Sequence, residues 1–140
     1  MGAMIESIFD TDGILIAIFV PRNYVPEGIQ FLTQSENAFQ LGLMKRNADE
    51  PSVAHFHNPV TREIQGTQEF LLVRSGKMTV TLFGNNAEQL SELTLQSGDS
   101  ILLASGGHKI NFMDGCEILE VKQGPYLHAT DKTIIDSEII

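Results

Sequence analysis

The stretch EFLLVRSGKMTVTLF, residues 69–83, contains two apolar runs that meet at Ser75 and Gly76. Both runs are rich in β-branched and aromatic residues, which fit the pleated surface of a strand. A serine-glycine pair between two such runs is typical of a tight turn that reverses the chain. The stretch therefore predicts a β-hairpin, with one strand over residues 69–74 and the other over residues 78–83.

The same pattern extends in both directions from this stretch. Turn signals such as Gly84-Asn85-Asn86 separate the apolar runs, and only residues 25–34 and 131–140 could hold a turn or two of helix. About ten short strands in this arrangement predict an all-β fold, either a barrel or a sandwich, with at most short helical segments. The other predicted strands span residues 14–20, 29–33, 39–44, 53–57, 90–95, 100–103, 109–112 and 118–122.

Length, charge and cysteine content limit the class of protein. The 140 residues fit a single domain over residues 4–140, with residues 1–3 predicted to be a remnant of an expression vector. The net charge of −9 repels nucleic acid and anionic membrane surfaces. Cys116 is the single cysteine, which fits a reducing compartment, and no apolar run is long enough to span a membrane. We therefore expect a cytoplasmic protein.

Three histidines and a carboxylate occupy positions suited to metal binding. His55 and His57 fall two apart in a predicted strand, so both imidazoles would project to one face. Glu69 opens an apolar strand, where a carboxylate costs stability unless it is paired or coordinated. His108 follows the glycines that precede a later strand. Imidazole and carboxylate ligands from separate strands form a mixed nitrogen and oxygen set that suits iron, manganese, nickel or zinc.

These residues resemble the two motifs of the cupin family, G-x5-H-x-H-x(3,4)-E-x6-G and G-x5-P-x-G-x2-H-x3-N. His55 and His57 match the paired histidines, Glu69 and Gly76 match the end of the first motif, and residues 98–108 match most of the second. The resemblance implies a double-stranded β-helix, or jelly-roll barrel. It also implies that His55, His57, Glu69 and His108 bind a divalent metal ion.

The chain departs from the family pattern at four places. Asp49 stands where the first motif opens with glycine, and residues 58–68 separate His57 from Glu69, where the family has only three or four residues. Ala104 replaces the proline of the second motif, and His108 comes one residue early relative to Gly106. An insertion in a loop costs little free energy, because the entropy of loop closure grows only with the logarithm of loop length. Glu69 therefore stays the preferred carboxylate ligand, and Glu63 is the alternative.

Residues 57–63, 106–108 and 120–126 resemble a narrower group of small stand-alone cupins of uncharacterised activity. Some of these are associated with bacterial surface-sugar and nucleotide-sugar pathways, which implies a sugar-like or carboxylate ligand. The predicted function is that of a metal-binding cupin that acts on a small molecule, and the first hypothesis is a metal-dependent enzyme of dioxygenase, isomerase or lyase type. The alternatives are a non-catalytic sugar-binding barrel and a dimeric structural or regulatory cupin.

Five further residues are candidates for substrate binding. Arg62 could clamp a carboxylate or phosphate with its planar guanidinium, or it is a solvated loop residue. Glu120 and Lys122 share one face of the last strand, which either points inward or is solvated. Tyr126 either lines the pocket or packs in the core, and Gln40 is predicted to reach the cavity.

A homodimer is the predicted assembly, because cupins commonly dimerise through their edge strands. The apolar run at residues 14–20 is the predicted contact. We expect His128 to be exposed or to cap a turn. We expect Cys116 to be a structural thiol, since no residue near it in the sequence supplies a catalytic base.

Overall fold

The computed structural model describes residues 3–135, and the chain is all-β, as predicted. Its contacts define two compact units, unit 1 (Met1–Tyr24 and Thr67–Ile140) and unit 2 (Val25–Gly66).

Among the described residues, no helix has the length and hydropathy needed to cross a membrane. The elements are β1 (Glu6–Phe9), β2 (Leu15–Val20), β3 (Ile29–Phe31), β4 (Gly42–Met44), β5 (Glu69–Phe83), β6 (Gln89–Gln96), β7 (Ser100–Leu103), β8 (Gly107–Lys122) and a 3₁₀ turn (His128–Thr130).

Unit 1 is one antiparallel sheet that curls around the long strand β5. The strand order is β1-β2-β7-β5-β6, and β8 also pairs with β5. The first half of β5 lies between β7 and β8, and its second half lies between β6 and β8. One strand therefore contributes to both sides of the sheet, and the sheet closes into a half-barrel compatible with a jelly roll.

The hairpin predicted at Ser75 and Gly76 is wrong, because β5 continues through both residues. The pairing of β5 with β8 shifts its register between Val73 and Lys77, which bends the two strands together without reversing either chain. Gly76 has φ +81°, and a Cβ atom there would lie 2.9 Å from the Cα of Cys116. The strands predicted at residues 109–112 and 118–122 are likewise one bent strand, β8.

The core of unit 1 fills the inside of the curl. Alternate residues of β5 supply much of it, since side chains two apart on a strand share one face. Cys116 is half-buried against this cluster, which agrees with a structural thiol. The cluster contains Ile16, Ala17, Leu71, Val73, Met78, Val80, Leu82, Leu95, Ile101 and Leu103.

Strand β2 lies in the interior of the sheet. It pairs with β1 on one edge and with β7 on the other, and its residues Ile16, Ala17 and Ile18 are at most 1% exposed. The prediction that residues 14–20 form a dimer contact is therefore wrong, because this strand has neither a free edge nor an exposed apolar face. The neighbouring strand β1 was not predicted from the sequence.

Unit 2 is a small two-stranded sheet followed by a long extended segment. Ile29 of β3 pairs with Met44 of β4, and Phe31 pairs with Gly42. The strand predicted at residues 53–57 is wrong, since residues 51–65 contain no regular element and all of them are exposed. Prolines lack the N–H group that a strand ladder needs, and two of them interrupt this segment.

Candidate functional site

Glu69 and His108 meet on the inner face of unit 1. The His108 Nε2 atom lies 4.0 Å from the Glu69 Oε2 atom, although His108 pairs with Leu82 at the far end of β5 from Glu69. The curl of the sheet brings these two ends of the strand to the same place. The Glu69 side chain is only 14% exposed and that of His108 is 34% exposed.

The loop between β7 and β8 fixes the position of His108. Ala104 and Ser105 both donate backbone N–H groups to the Ile16 carbonyl, and the Ser105 hydroxyl donates to the Leu15 carbonyl at 2.6 Å. Gly106 follows with φ +70°, and a Cβ atom there would collide with the carbonyl oxygen of Phe83. Glycine is required at this position for both reasons, so the glycine of the sequence motif is explained by backbone geometry.

Glu120 and Lys122 lie on the same face of the sheet as Glu69. Lys122 lies directly opposite Glu69 in the pairing of β5 with β8, and Glu120 lies opposite Leu71, one position further along the same face. Glu120 is close enough to Glu69 to act on the pKa of that carboxyl group. Lys122 is partly buried on this face whereas Glu120 is exposed, so the face is solvated in part.

The environment shifts the pKa values of both central groups toward neutral forms. Burial raises the pKa of Glu69, the hydrogen bond and the charge of Glu120 add to the rise, and Lys122 and Lys132 oppose it, so that the pKa is about 7. Burial lowers the pKa of His108, and the positive charge of Lys132 also lowers it. Near neutral pH, Glu69 therefore exchanges a proton readily, and His108 keeps a nitrogen lone pair free.

His55 and His57 form a separate pair in unit 2. Their ring centroids lie 5.2 Å apart with the rings at 73°, and the side chain of Phe56 between them is 97% exposed. The Nδ1–H group of His55 donates to the Val53 carbonyl at 2.7 Å. This hydrogen bond places the free lone pair on Nε2, an arrangement that metal-binding histidines commonly show.

Two of the other candidate residues have contacts within their own unit. Gln40 donates from its amide to the carbonyls of Gln34 and Asn37, so it organises a loop of unit 2. Tyr126 is mostly exposed, with its ring 4.6 Å from the ring of His128, so the alternative that it packs in the core is wrong. His128 is exposed, as predicted.

The predicted ligands are thus divided between the two units, with Glu69 and His108 in unit 1 and His55 and His57 in unit 2. Glu63, the alternative carboxylate, is an exposed residue of unit 2, as is Arg62. Across residues 3–135, neither unit by itself gathers three His, Cys, Asp or Glu side chains in an arrangement that could hold a metal ion.

Two residues near the site were missed by sequence reasoning. Asp131 forms an ion pair with Lys122, whose Nζ atom lies 3.8 Å from Oδ2, and Lys132 acts electrostatically on both Glu69 and His108. Both belong to the segment after β8, which has no pattern in its sequence that points to the inner face of the sheet. A search against protein-family models, curated proteins and solved structures finds no match to this chain.

Proposed function

We propose that this chain is a cupin-type protein that binds a small molecule at a divalent metal ion, with Glu69 and His108 as two of the metal ligands. The observation that carries the proposal is the 4.0 Å separation of the His108 Nε2 and Glu69 Oε2 atoms. Ligand atoms about 2.0–2.2 Å from one zinc ion lie roughly 3–4 Å apart, so these two fit a shared ion. A largely buried carboxylate costs stability unless a cation or hydrogen bonds balance its charge, and such groups are common at functional sites.

The pair in unit 2 supports the same proposal independently. Two imidazoles bound to one tetrahedral ion have ring centroids roughly 5 Å apart, and the centroids of His55 and His57 are 5.2 Å apart. The hydrogen bond from His55 to the Val53 carbonyl leaves Nε2 available for a metal. The cupin resemblance implies that His55 and His57 also bind a divalent metal ion, and we propose both as metal ligands.

The residues of the chain suggest how such a site would treat its substrate. A bound divalent ion supplies Lewis acidity or a position for dioxygen. Glu120, which lies beside Glu69 on the same face, can act as a general acid or base toward the substrate. Lys122 offers a positive charge on the same inner face. A sugar-like or carboxylate substrate, and a dioxygenase, isomerase or lyase reaction, belong to this proposal.

Elemental analysis of protein purified without a metal-affinity column tests the metal. We expect about one divalent ion per chain, and loss of most of it in His57→Ala and in His108→Ala. His128→Ala is the matched control, since His128 is an exposed histidine outside the proposed set, and it should keep its metal. A wild-type chain that neither contains metal nor takes it up on titration would contradict the proposal.

Two further substitutions separate the alternative carboxylates. Glu69→Gln should lower metal content, whereas Glu63→Gln should leave it unchanged, because an amide is a poorer ligand for these ions than a carboxylate. The opposite result would make Glu63 the ligand and would leave the remainder of the metal proposal intact.

A non-catalytic binding protein is the second candidate. Glu69 and Lys122 lie directly opposite each other on neighbouring strands, and such polar groups can hold a sugar or a small acid without a metal ion. This candidate predicts that a sugar or a small carboxylic acid raises the melting temperature of metal-free protein without being converted. Turnover of the same compound in metal-loaded protein, measured by product analysis, would exclude it.

A further inference from the structure

The segment after β8 returns from one end of β8 to the other. The segment begins after Lys122, at the end of β8 that pairs with Glu69, where the Asp131 carboxylate lies 3.8 Å from the Lys122 Nζ atom. It reaches the His108 end at Ile135, whose Cδ1 atom would be 2.5 Å from a Cβ atom placed on Gly107. Because Gly107 has no side chain, the segment can approach the strand closely beside His108.

The Asp131 carboxylate has the environment of a bound anion. Its Oδ2 atom contacts the ammonium group of Lys122, and its Oδ1 atom accepts a hydrogen bond from the Thr67 hydroxyl at 3.5 Å. The side chains of Asp131 and Lys122 are only 13% and 25% exposed, so the contact is largely sheltered from water. An ammonium and a hydroxyl group together form a binding position for a carboxylate or phosphate oxygen.

Lys132, the residue after Asp131, carries a second ammonium group. The charge of Lys132 lowers the pKa of His108 and opposes the rise in the pKa of Glu69, so it acts on both central groups of the site. Lys122 and Lys132 thus supply two positive charges, while Asp131 supplies one negative charge. Asp131 lies outside any strand or helix, so its carboxylate can move away without disrupting a ladder of hydrogen bonds.

We propose that Lys122 and Lys132 form a subsite for an anionic oxygen group of the ligand, and that the Asp131 carboxylate occupies this subsite until the ligand displaces it. The inference rests on the proposed function, since it assigns a chemical feature to the ligand of the same site. That ligand carries a carboxylate or a phosphate group. Either group replaces the contacts of Asp131 with those of its own oxygen atoms.

Titration of ¹⁵N-labelled protein with acetate and with inorganic phosphate, at constant ionic strength, tests the proposal by chemical-shift changes. Asp131→Asn should lower the Kd for at least one of these anions about fivefold, because it removes the competing charge and keeps the side-chain shape. Lys122→Gln and Lys132→Gln should each raise the same Kd by about fivefold. Lys132→Arg should restore binding, which shows that the charge matters.

Lys109→Gln is the matched control. Lys109 is next to His108 on β8, so its side chain points to the opposite face of the strand, and the same loss of charge there should leave Kd unchanged. An equal effect of Lys109→Gln and Lys132→Gln would show that only the general surface charge matters, and would overturn the proposal. So would an Asp131→Asn variant whose Kd values stay within about twofold of wild type.

The outcomes also separate the subsite from the metal. If the wild-type chain binds no metal but the lysine and Asp131 effects appear as expected, the metal proposal fails and the anion subsite stands. If metal is bound and lost as expected but the anion effects are missing, the subsite alone fails. Tighter binding of acetate assigns a carboxylate to the ligand, and tighter binding of phosphate assigns a phosphate.

Discussion

At the scale of single residues, Glu69 is a carboxyl group held largely away from water. It shares its face of β5 with the buried residues Leu71 and Val73, and it hydrogen-bonds to a second carboxyl group. Such a position favours the protonated form of the carboxyl. The fold therefore binds this proton more tightly than the unfolded chain does, and the stability of the fold depends on pH through this one residue.

Glu69→Gln should change the pH dependence of the stability of metal-free protein. Because folding raises the pKa of Glu69 from 4.5 to about 7, its contribution to stability is fully present below pH 4.5 and is lost as the pH rises through 7. Between pH 5 and pH 8, we expect the free energy of unfolding of wild type to fall by about 1–3 kcal/mol relative to that of Glu69→Gln. Urea denaturation at both pH values measures this free energy.

Glu63→Gln is the control for this measurement, since Glu63 is an exposed residue whose substitution should leave the pH dependence unchanged. Parallel pH profiles for wild type and Glu69→Gln would contradict the expectation.

Leu82 lies in the core directly opposite His108 in the pairing of β5 with β8, and it is 0% exposed. Leu82→Ala should lower the free energy of unfolding by about 2–4 kcal/mol, because the buried cavity it leaves cannot fill completely. Leu119→Ala, in β8 and 50% exposed, should cost less than about 1 kcal/mol. Chemical denaturation of the two variants provides the comparison, and equal losses would mean that the core has been placed on the wrong face of the sheet.

At the scale of elements, the loop between β7 and β8 links the fold to the site. Gly106→Ala should both destabilise the fold and displace His108, because the residue has φ +70° and its new Cβ atom would meet the carbonyl of Phe83. Gly13→Ala is the matched control, with φ +79° and open space around the new atom.

We expect Gly106→Ala to lower the free energy of unfolding by at least about 2 kcal/mol more than Gly13→Ala does, since only the first adds a steric collision to the backbone strain. Thermal denaturation measures the difference. Similar melting temperatures for the two variants would show that the loop tolerates the side chain and does not fix His108.

The elements also show what can be predicted from the sequence. Alternating apolar residues and glycine turns predict the all-β class and place most strands of unit 1 correctly. They fail at Ser75 and Gly76, because a glycine at positive φ serves a bulge in a bent strand as well as a hairpin turn. They fail again at residues 53–57, because whether a run of residues becomes a strand depends on a neighbouring strand that local sequence does not reveal.

The candidate site was predictable only in part, because local sequence does not reveal the path of the chain. The cupin resemblance points to His108 and Glu69 although the motif spacing differs at both, and these two residues lie close together in unit 1. Asp131 and Lys132 belong to a segment without periodicity, so only the path of the chain brings them near Lys122 and His108. Glu120 was proposed as a residue that contacts substrate, and the structure shows that it contacts Glu69.

At the scale of the whole molecule, the two units should differ in hydrogen exchange. Unit 1 contains every buried residue of the core, whereas no residue of unit 2 is buried. We expect slow exchange in β5, β7 and the paired parts of β8, and rapid exchange at residues 51–65. Mass spectrometry of peptides from exchanged protein tests this, and protection of residues 51–65 in metal-free protein would contradict it.

The same measurement bears on the proposed metal site. Addition of a divalent ion should slow exchange around His55 and His57 if these residues bind it, because a ligated segment opens less often. The homodimer and the cytoplasmic location stay predictions at this scale. Sedimentation of the purified chain tests the first of them.

The bend of β5 has a mechanical consequence. The strand holds the Glu69 carboxyl at its start, and its far end pairs with the His108 segment, so the gap between the two groups depends on how tightly the strand is flexed at its midpoint. Because about seven residues extend on either side of Gly76, a small change in the bend angle there moves the two ends of β5 by a larger distance. The spacing of the candidate ligands is therefore governed by a hinge in the framework, several residues away from either of them.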